Sequence, residues 1–157
     1  MPLARRSLRY LVPGSMAAIA SALVLAWSGR RELGSAAAPM NGPSQWVWGR
    51  GAPYRDDASA RHTLLGYAIH HVASLAWGLL FEGLRRRAPR DVPGTFAAAV
   101  TTTAIANVVD FQLTPDRLTP GFEKRLSHRA LFCTYAAVAA GLFAGALLAD
   151  RATSRAP

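Results

Sequence analysis

Four stretches of this chain exclude every Asp, Glu, Lys and Arg, and each is long enough to cross a lipid bilayer as a helix. Arg9 to Arg30 encloses 20 such residues, Arg61 to Glu82 encloses 20, Asp91 to Asp110 encloses 18 and Arg129 to Asp150 encloses 20. At roughly 1.5 Å per helical residue they measure about 27–30 Å, against a bilayer core of about 30 Å. The pattern argues against a soluble globular domain and for an all-α integral membrane protein. It predicts transmembrane helices over 10–29, 62–84, 93–113 and 130–149, packed as an antiparallel bundle in one four-span domain covering 1–157. A long interfacial first loop, 30–61, and a short interfacial segment, 114–129, complete the organisation.

The net charge of +9 comes from 17 Arg and one Lys against nine acidic residues. A basic chain raises nucleic-acid binding, which needs Lys and Arg gathered along one face or arm. Here the basic residues flank the apolar windows instead, as in Arg5, Arg6 and Arg9, or Arg85, Arg86, Arg87 and Arg90. Flanking clusters are what membrane topology and anionic headgroups call for, so the expected partner is the lipid bilayer and not nucleic acid. With the N-terminus inside, the two faces carry nine Lys and Arg each. The compact cluster from Arg85 to Arg90 weighs more than charges spread over a long loop, which favours a cytoplasmic N-terminus and C-terminus. The layout resembles that of small bacterial inner-membrane proteins, an architectural likeness that implies a multi-pass protein of the inner (cytoplasmic) membrane. Arg30, Arg31 and Glu32 directly follow the first window, which suits a retained anchor better than a signal cleaved near Ala36 to Ala38.

The first and last windows carry small residues at intervals of four. Gly14, Ala18, Ala22 and Ala26 form one stripe, and Ala137, Gly141, Gly145 and Ala149 form the other, with Gly141 and Gly145 as a GxxxG pair. Such stripes let helices approach closely, within one bundle or between a second copy or another membrane protein and this one. Cys133, the one cysteine, rules out an intrachain disulfide and is expected to be a small buried residue. In the long loop, Pro39, Gly42, Pro43, Gly49, Gly51 and Pro53 argue against a continuous helix. Trp46 and Trp48 within it are of the type that settles at headgroup level, as interfacial anchors. The segment before the last window repeats Leu-Thr-Pro at 113–115 and 118–120, and Thr before Pro is a pattern of helix starts. Its charges, Asp116, Arg117, Glu123, Lys124 and Arg125, are expected to form solvated ion pairs.

Polar residues inside the windows are the most informative, because a polar or ionisable group in lipid faces protein or water. Thr63, Tyr67, His70, Ser74 and Trp77 share one face of the second helix, and Thr103, Asn107, Asp110 and Thr114 share one face of the third. Antiparallel neighbours would set Asn107 and Asp110 at the depth of Tyr67 and His70. The candidate intramembrane polar site is therefore Tyr67, His70, Ser74, Thr103, Asn107 and Asp110, with His70 and Asp110 paired directly, through water or through Asn107. His71 and Glu82 are about 16 Å apart along their helix and share no metal ion, and Glu82 is expected to pair with Arg85 and Arg86. No metal site, cofactor motif, nucleophile elbow or phosphate-binding Gly-rich loop is present in the sequence, so no catalytic residue is assigned. The functional expectation is an accessory or structural membrane component with a polar interhelical layer. A small proton-linked transporter using His70 and Asp110 is the alternative, and a membrane-embedded enzyme the third.

Overall fold

The computed structural model describes residues 3–89 and 91–154, with side chains from Leu8 onward. Arg5, Arg6, Arg90 and Arg155, which enter the charge comparison, lie outside the described side chains. Four long helices dominate: α1 (Leu3–Glu32), α2 (Leu65–Arg85), α3 (Val92–Val108) and α4 (His128–Ser154). No strand occurs among the described residues. The helices overrun the charge-free windows because their end turns recruit flanking charges. Arg30 and Arg31 occupy the last turn of α1, where cations oppose the negative end of the helix dipole. Asp91 caps α3, its Oδ1 accepting from the Gly94 amide at 2.7 Å. Two π-helical turns extend the spans, Ala60–Leu64 before α2 and Val109–Leu113 after α3. With these extensions, all four helices are long and apolar enough to cross a membrane.

Close packing is concentrated on α1. A Cβ on Gly141 would lie 2.5 Å from Ala17 Cα, and one on Gly145 would lie 2.5 Å from Pro13 Cα. Any larger residue there must push two helix backbones apart. Pro13, inside α1, is fully buried at this crossing, where Gly145 faces it. Gly14 and Gly78 do the same for α1 and α2, with Gly14 against Leu75 Cα and Gly78 against the Tyr10 carbonyl. Along α1, contacts run from Tyr10 and Gly14 toward Ser21, while their α2 partners run back from Gly78 to His70. The α4 partners run back from Gly145 through Gly141, and Glu32 finally reaches Ser127. Phe81, Ala98, Ala99, Val138, Leu142 and Ala146 join Ala17 in the principal core cluster.

Much apolar surface stays outside. In the second span only 22% of the most apolar window is buried within the protein, and 39% in each of the others. Val72 and Leu23 are 67% exposed and Phe132 is 75% exposed. Cys133 corrects the sequence reading: it is exposed, next to Phe132 on the outward face of α4.

The long first connection is not an open loop. It folds into four short turns, Ala38–Asn41, Gly42–Ser44, Gln45–Trp48 and Ala52–Tyr54, which cap one end of the bundle. Pro39, Pro43 and Pro53 each stand at the start of one such turn, where a missing amide hydrogen costs little. The same prolines that forbid one long helix therefore punctuate several short ones. Residues 39–45 are all buried. The segment before α4 packs beside this cap: Gly121, at φ +85°, brings its backbone against that of Gly42, leaving no room for a side chain on either. Neither Thr-Pro pair opens a helix. Thr114 is extended and its hydroxyl donates to the Val109 carbonyl, while Thr119 Oγ1 bonds to the Asp116 carbonyl and to Glu123 Oε1. The one helical turn in this segment is Phe122–Lys124.

Candidate functional site

The polar residues of the apolar helices divide between two places. On one side, α2 turns its histidines toward α1. His70 Nε2 lies 2.9 Å from Ser21 Oγ, whose own proton goes to the Ala17 carbonyl at 2.7 Å. With that proton engaged, the Ser21 oxygen accepts from the His70 ring N–H. His71 Nε2 lies 3.1 Å from Ser15 Oγ, and its Nδ1 lies 3.2 Å from the Tyr67 hydroxyl. Ser74 Oγ donates to the His70 carbonyl at 2.8 Å, a bond within its own helix. Adjacent histidines that differ by about 100° on a helix thus reach serines about 1.7 turns apart on the same neighbour.

On the other side, α3 turns toward α4. The Tyr135 hydroxyl donates to Asp110 Oδ2 at 2.6 Å, and the Phe111 and Tyr135 rings meet edge to face at 5.4 Å. Thr103 and Asn107 do not join His70. They line an outward groove between α3 and α4 with Phe96, Val100, Phe132 and Ala136, and Thr103 Oγ1 is buried with no hydrogen-bond partner. Asp110 shares its face with Ala106, four residues earlier, and both border the space between α2 and α4.

His70 and Asp110 share a cavity without a hydrogen bond or ion pair between them. Its volume is about 60 Å³, and it lies beneath the cap between α2, α3 and α4. Apolar walls come from Ile69, Ala73, Trp77, Ala106, Leu118 and Val138; Ser74, Thr134 and Tyr135 add polar atoms, and Trp46 closes the cap side. Tyr67 lies outside this cavity, beside Ala22, Ala26 and Thr63 in a separate surface recess.

Neutral and charged side chains together hold the cap. Asn41 Nδ2 donates to the Arg55 and Asp57 carbonyls at 2.9 and 3.0 Å, and Thr63 Oγ1 donates to Asn41 Oδ1 at 2.6 Å. Fully buried Gln45 donates to the Thr119 carbonyl at 2.7 Å and accepts from Lys124 Nζ at 3.0 Å. Trp46 Nε1 also donates to the Thr119 carbonyl, at 3.3 Å, and Trp48 Nε1 donates to the Arg61 carbonyl at 2.9 Å. The Arg61 guanidinium stacks over the Trp48 ring at 4.3 Å. Charged residues of the segment before α4 bond across to the cap, with Arg125 on Asp56 at 2.6 Å and Arg50 on Asp116 at 3.4 Å.

At the opposite end lies a charged cluster. Glu82, 4% exposed, accepts from Arg85 at 2.9 Å and Arg86 at 3.0 Å, with Arg9 at 4.0 Å. Arg85 also forks onto both oxygens of Asp150, at 2.8 and 3.2 Å. The pairing of Glu82 with Arg85 and Arg86 follows from helix spacing; the Asp150 and Arg9 contacts require the bundle.

Gly141 and Gly145, whose stripe suits packing within one bundle or against a second copy or membrane partner, face α1 of the same chain. Ser15, Ser21 and Tyr135 are the interacting residues that sequence reasoning missed. Ser and Tyr in an apolar run carry little signal by themselves, although Tyr135 and Thr134 are the most polar residues of the fourth window. Among the described residues no group of three His, Cys, Asp or Glu is placed to hold a metal ion. No protein-family model, curated protein or solved structure matches this chain.

Proposed function

We propose that this chain is a four-pass integral protein of a bacterial-type inner membrane, an antiparallel helical bundle with an accessory or structural role. The observation that carries the reading is the pairwise use of its intramembrane polar groups. His70 meets Ser21, His71 meets Ser15 and Tyr67, and Asp110 meets Tyr135, each bridging to a neighbouring helix. Contacts of this kind clasp helices together, at roughly 0.6–2 kcal/mol each. The large exposed apolar faces of all four helices supply the surface that lipid would cover. In this arrangement both termini and the Arg85–Arg87 cluster are cytoplasmic, and the cap lies on the outer side with Trp46 and Trp48 at headgroup depth. The Gly141–Gly145 seam closes the bundle, so a second copy or membrane partner would use another face.

The cavity shared by His70 and Asp110 supports a second reading, a small proton-linked transporter. One experiment separates the two. Purified protein is reconstituted into vesicles with an imposed pH gradient, and wild type is compared with His70→Ala and Asp110→Asn. A clasp predicts proton flux at the level of empty vesicles for all three, with both variants melting earlier in detergent. Gradient-driven flux in wild type that both substitutions abolish would establish the transporter instead.

A further inference from the structure

Asp110 has a neutral partner and no positive one. Among the described residues its carboxylate forms no ion pair, Tyr135 occupies Oδ2, and Oδ1 has no protein hydrogen bond. Glu123 lies near enough for its charge to act on Asp110, and it too forms no ion pair among the described residues. Glu123 Oε2 is buried without a hydrogen-bond partner. Asp110 thus places a carboxylate with no ion-pair partner at one end of a cavity that Glu123 itself does not line; the other walls are mostly apolar, include two indole rings, Trp46 and Trp77, and carry polar atoms from His70, Ser74, Thr134 and Tyr135. A charge in such surroundings calls for an opposite charge.

The wall chemistry selects the kind of cation. A hard metal ion takes about six or more oxygen ligands, and one carboxylate with scattered hydroxyls does not provide them. An organic ammonium is satisfied by one carboxylate, a few hydrogen-bond acceptors and aromatic faces. Shape agrees with chemistry. Asp110 is three residues from the end of its span, whereas Trp77 lies well inside the second one, so the cavity runs from a charged end beneath the cap toward an apolar end at depth. Its volume of about 60 Å³ admits a small head and excludes a bulky one.

We propose that the cavity between α2, α3 and α4 is a binding site for the primary ammonium head of a lipophilic amine. Asp110 is the counter-charge, Trp46 and Trp77 are aromatic walls, and the alkyl chain leaves the cavity past the half-buried Ile69 and Ala73. Tyr135 holds Asp110 in place through Oδ2 and leaves Oδ1 for the ligand. The proposal goes beyond the accessory reading and does not depend on it, since a structural protein can carry a ligand without moving it.

The test is titration of octylammonium into the full-length protein in a maltoside detergent, followed by calorimetry and tryptophan fluorescence with protein-free micelles as the blank. Wild type is expected to bind saturably with one site, and octanol, which has the same tail without the charge, is expected not to compete. Asp110→Asn retains the Tyr135 contact and removes the charge, so affinity should fall at least about tenfold. Tyr135→Phe retains the charge, and its affinity should stay within about threefold of wild type, because the carboxylate keeps its role. Absence of saturation above the micelle blank, equal competition by octanol, or unchanged affinity in Asp110→Asn would each overturn the proposal. The comparison of ammonium with alcohol needs no variant and decides the matter even if Asp110→Asn does not fold.

Discussion

The seam between α1 and α4 and the space enclosed by α2, α3 and α4 both use small residues and reach opposite outcomes. At the seam, Gly141 and Gly145 bring backbone within contact of Ala17 and Pro13, and nothing lies between the helices. Around the second space, Trp46, Trp77 and Phe122 stand beside Ala73 and Ala106 and leave a cavity of about 60 Å³. Small residues facing backbone close an interface, whereas small residues facing large aromatic rings leave a gap that the rings cannot fill. Dispersion contacts are lost across such a gap, and the polar groups that line it become available to something other than protein. The first region is therefore a site of stability and the second a site where a ligand can be held.

Substitutions that tighten or fill each region test this contrast. The largest effect is expected for Gly145→Leu, whose first side-chain atom would already collide with Pro13 Cα at 2.5 Å. Backbone cannot move aside as a flexible side chain does, so a loss of at least about 3 kcal/mol is expected. Thermal unfolding in detergent should show a much lower midpoint or no folded protein, and a midpoint near wild type would show that the seam is loose. An intermediate effect, about 1 kcal/mol, is expected for Ser21→Ala, which removes the α1 partner of His70 while leaving its volume nearly unchanged. Equal midpoints for Ser21→Ala and wild type would demote this clasp to an incidental contact. The smallest effect belongs to Ala73→Leu, which extends into the cavity and should change stability by less than about 1.5 kcal/mol. A collapse of that variant comparable to Gly145→Leu would mean that the two regions do not differ as described.

The two ends of the bundle show where sequence reasoning stops. Glu82 with Arg85 and Arg86 is readable from spacing, because residues three and four apart are neighbours on any helix. Asn41, Ser44 and Gln45 give no such indication. Their burial depends on Arg55, Asp57, His62 and Thr119, up to 74 residues away in the chain. The long connection reads as an open loop because Gly and Pro interrupt every periodicity, yet those interruptions are the boundaries of its short turns. Spacing aligns the polar residues of the second and third helices but does not specify what each one meets: Thr103 and Asn107 line an outward groove while Asp110 borders the cavity. His70 found Ser21, and Asp110 found Tyr135.

The sequence by itself determined four apolar helices, their order, and the restriction of charge to their ends and connections. Those properties are local: charge costs too much in an apolar span, and periodicity of 3.6 residues places side chains on faces without reference to any other helix. Only the tertiary structure decided which faces meet, that the first connection folds into a cap, and that His70 and Asp110 border one cavity while bonding to different helices. Those outcomes depend on backbone approach distances set by glycines on separate helices and on side chains that meet only when helices pack, as Tyr135 meets Asp110. Neither is encoded in the spacing of residues along a single helix.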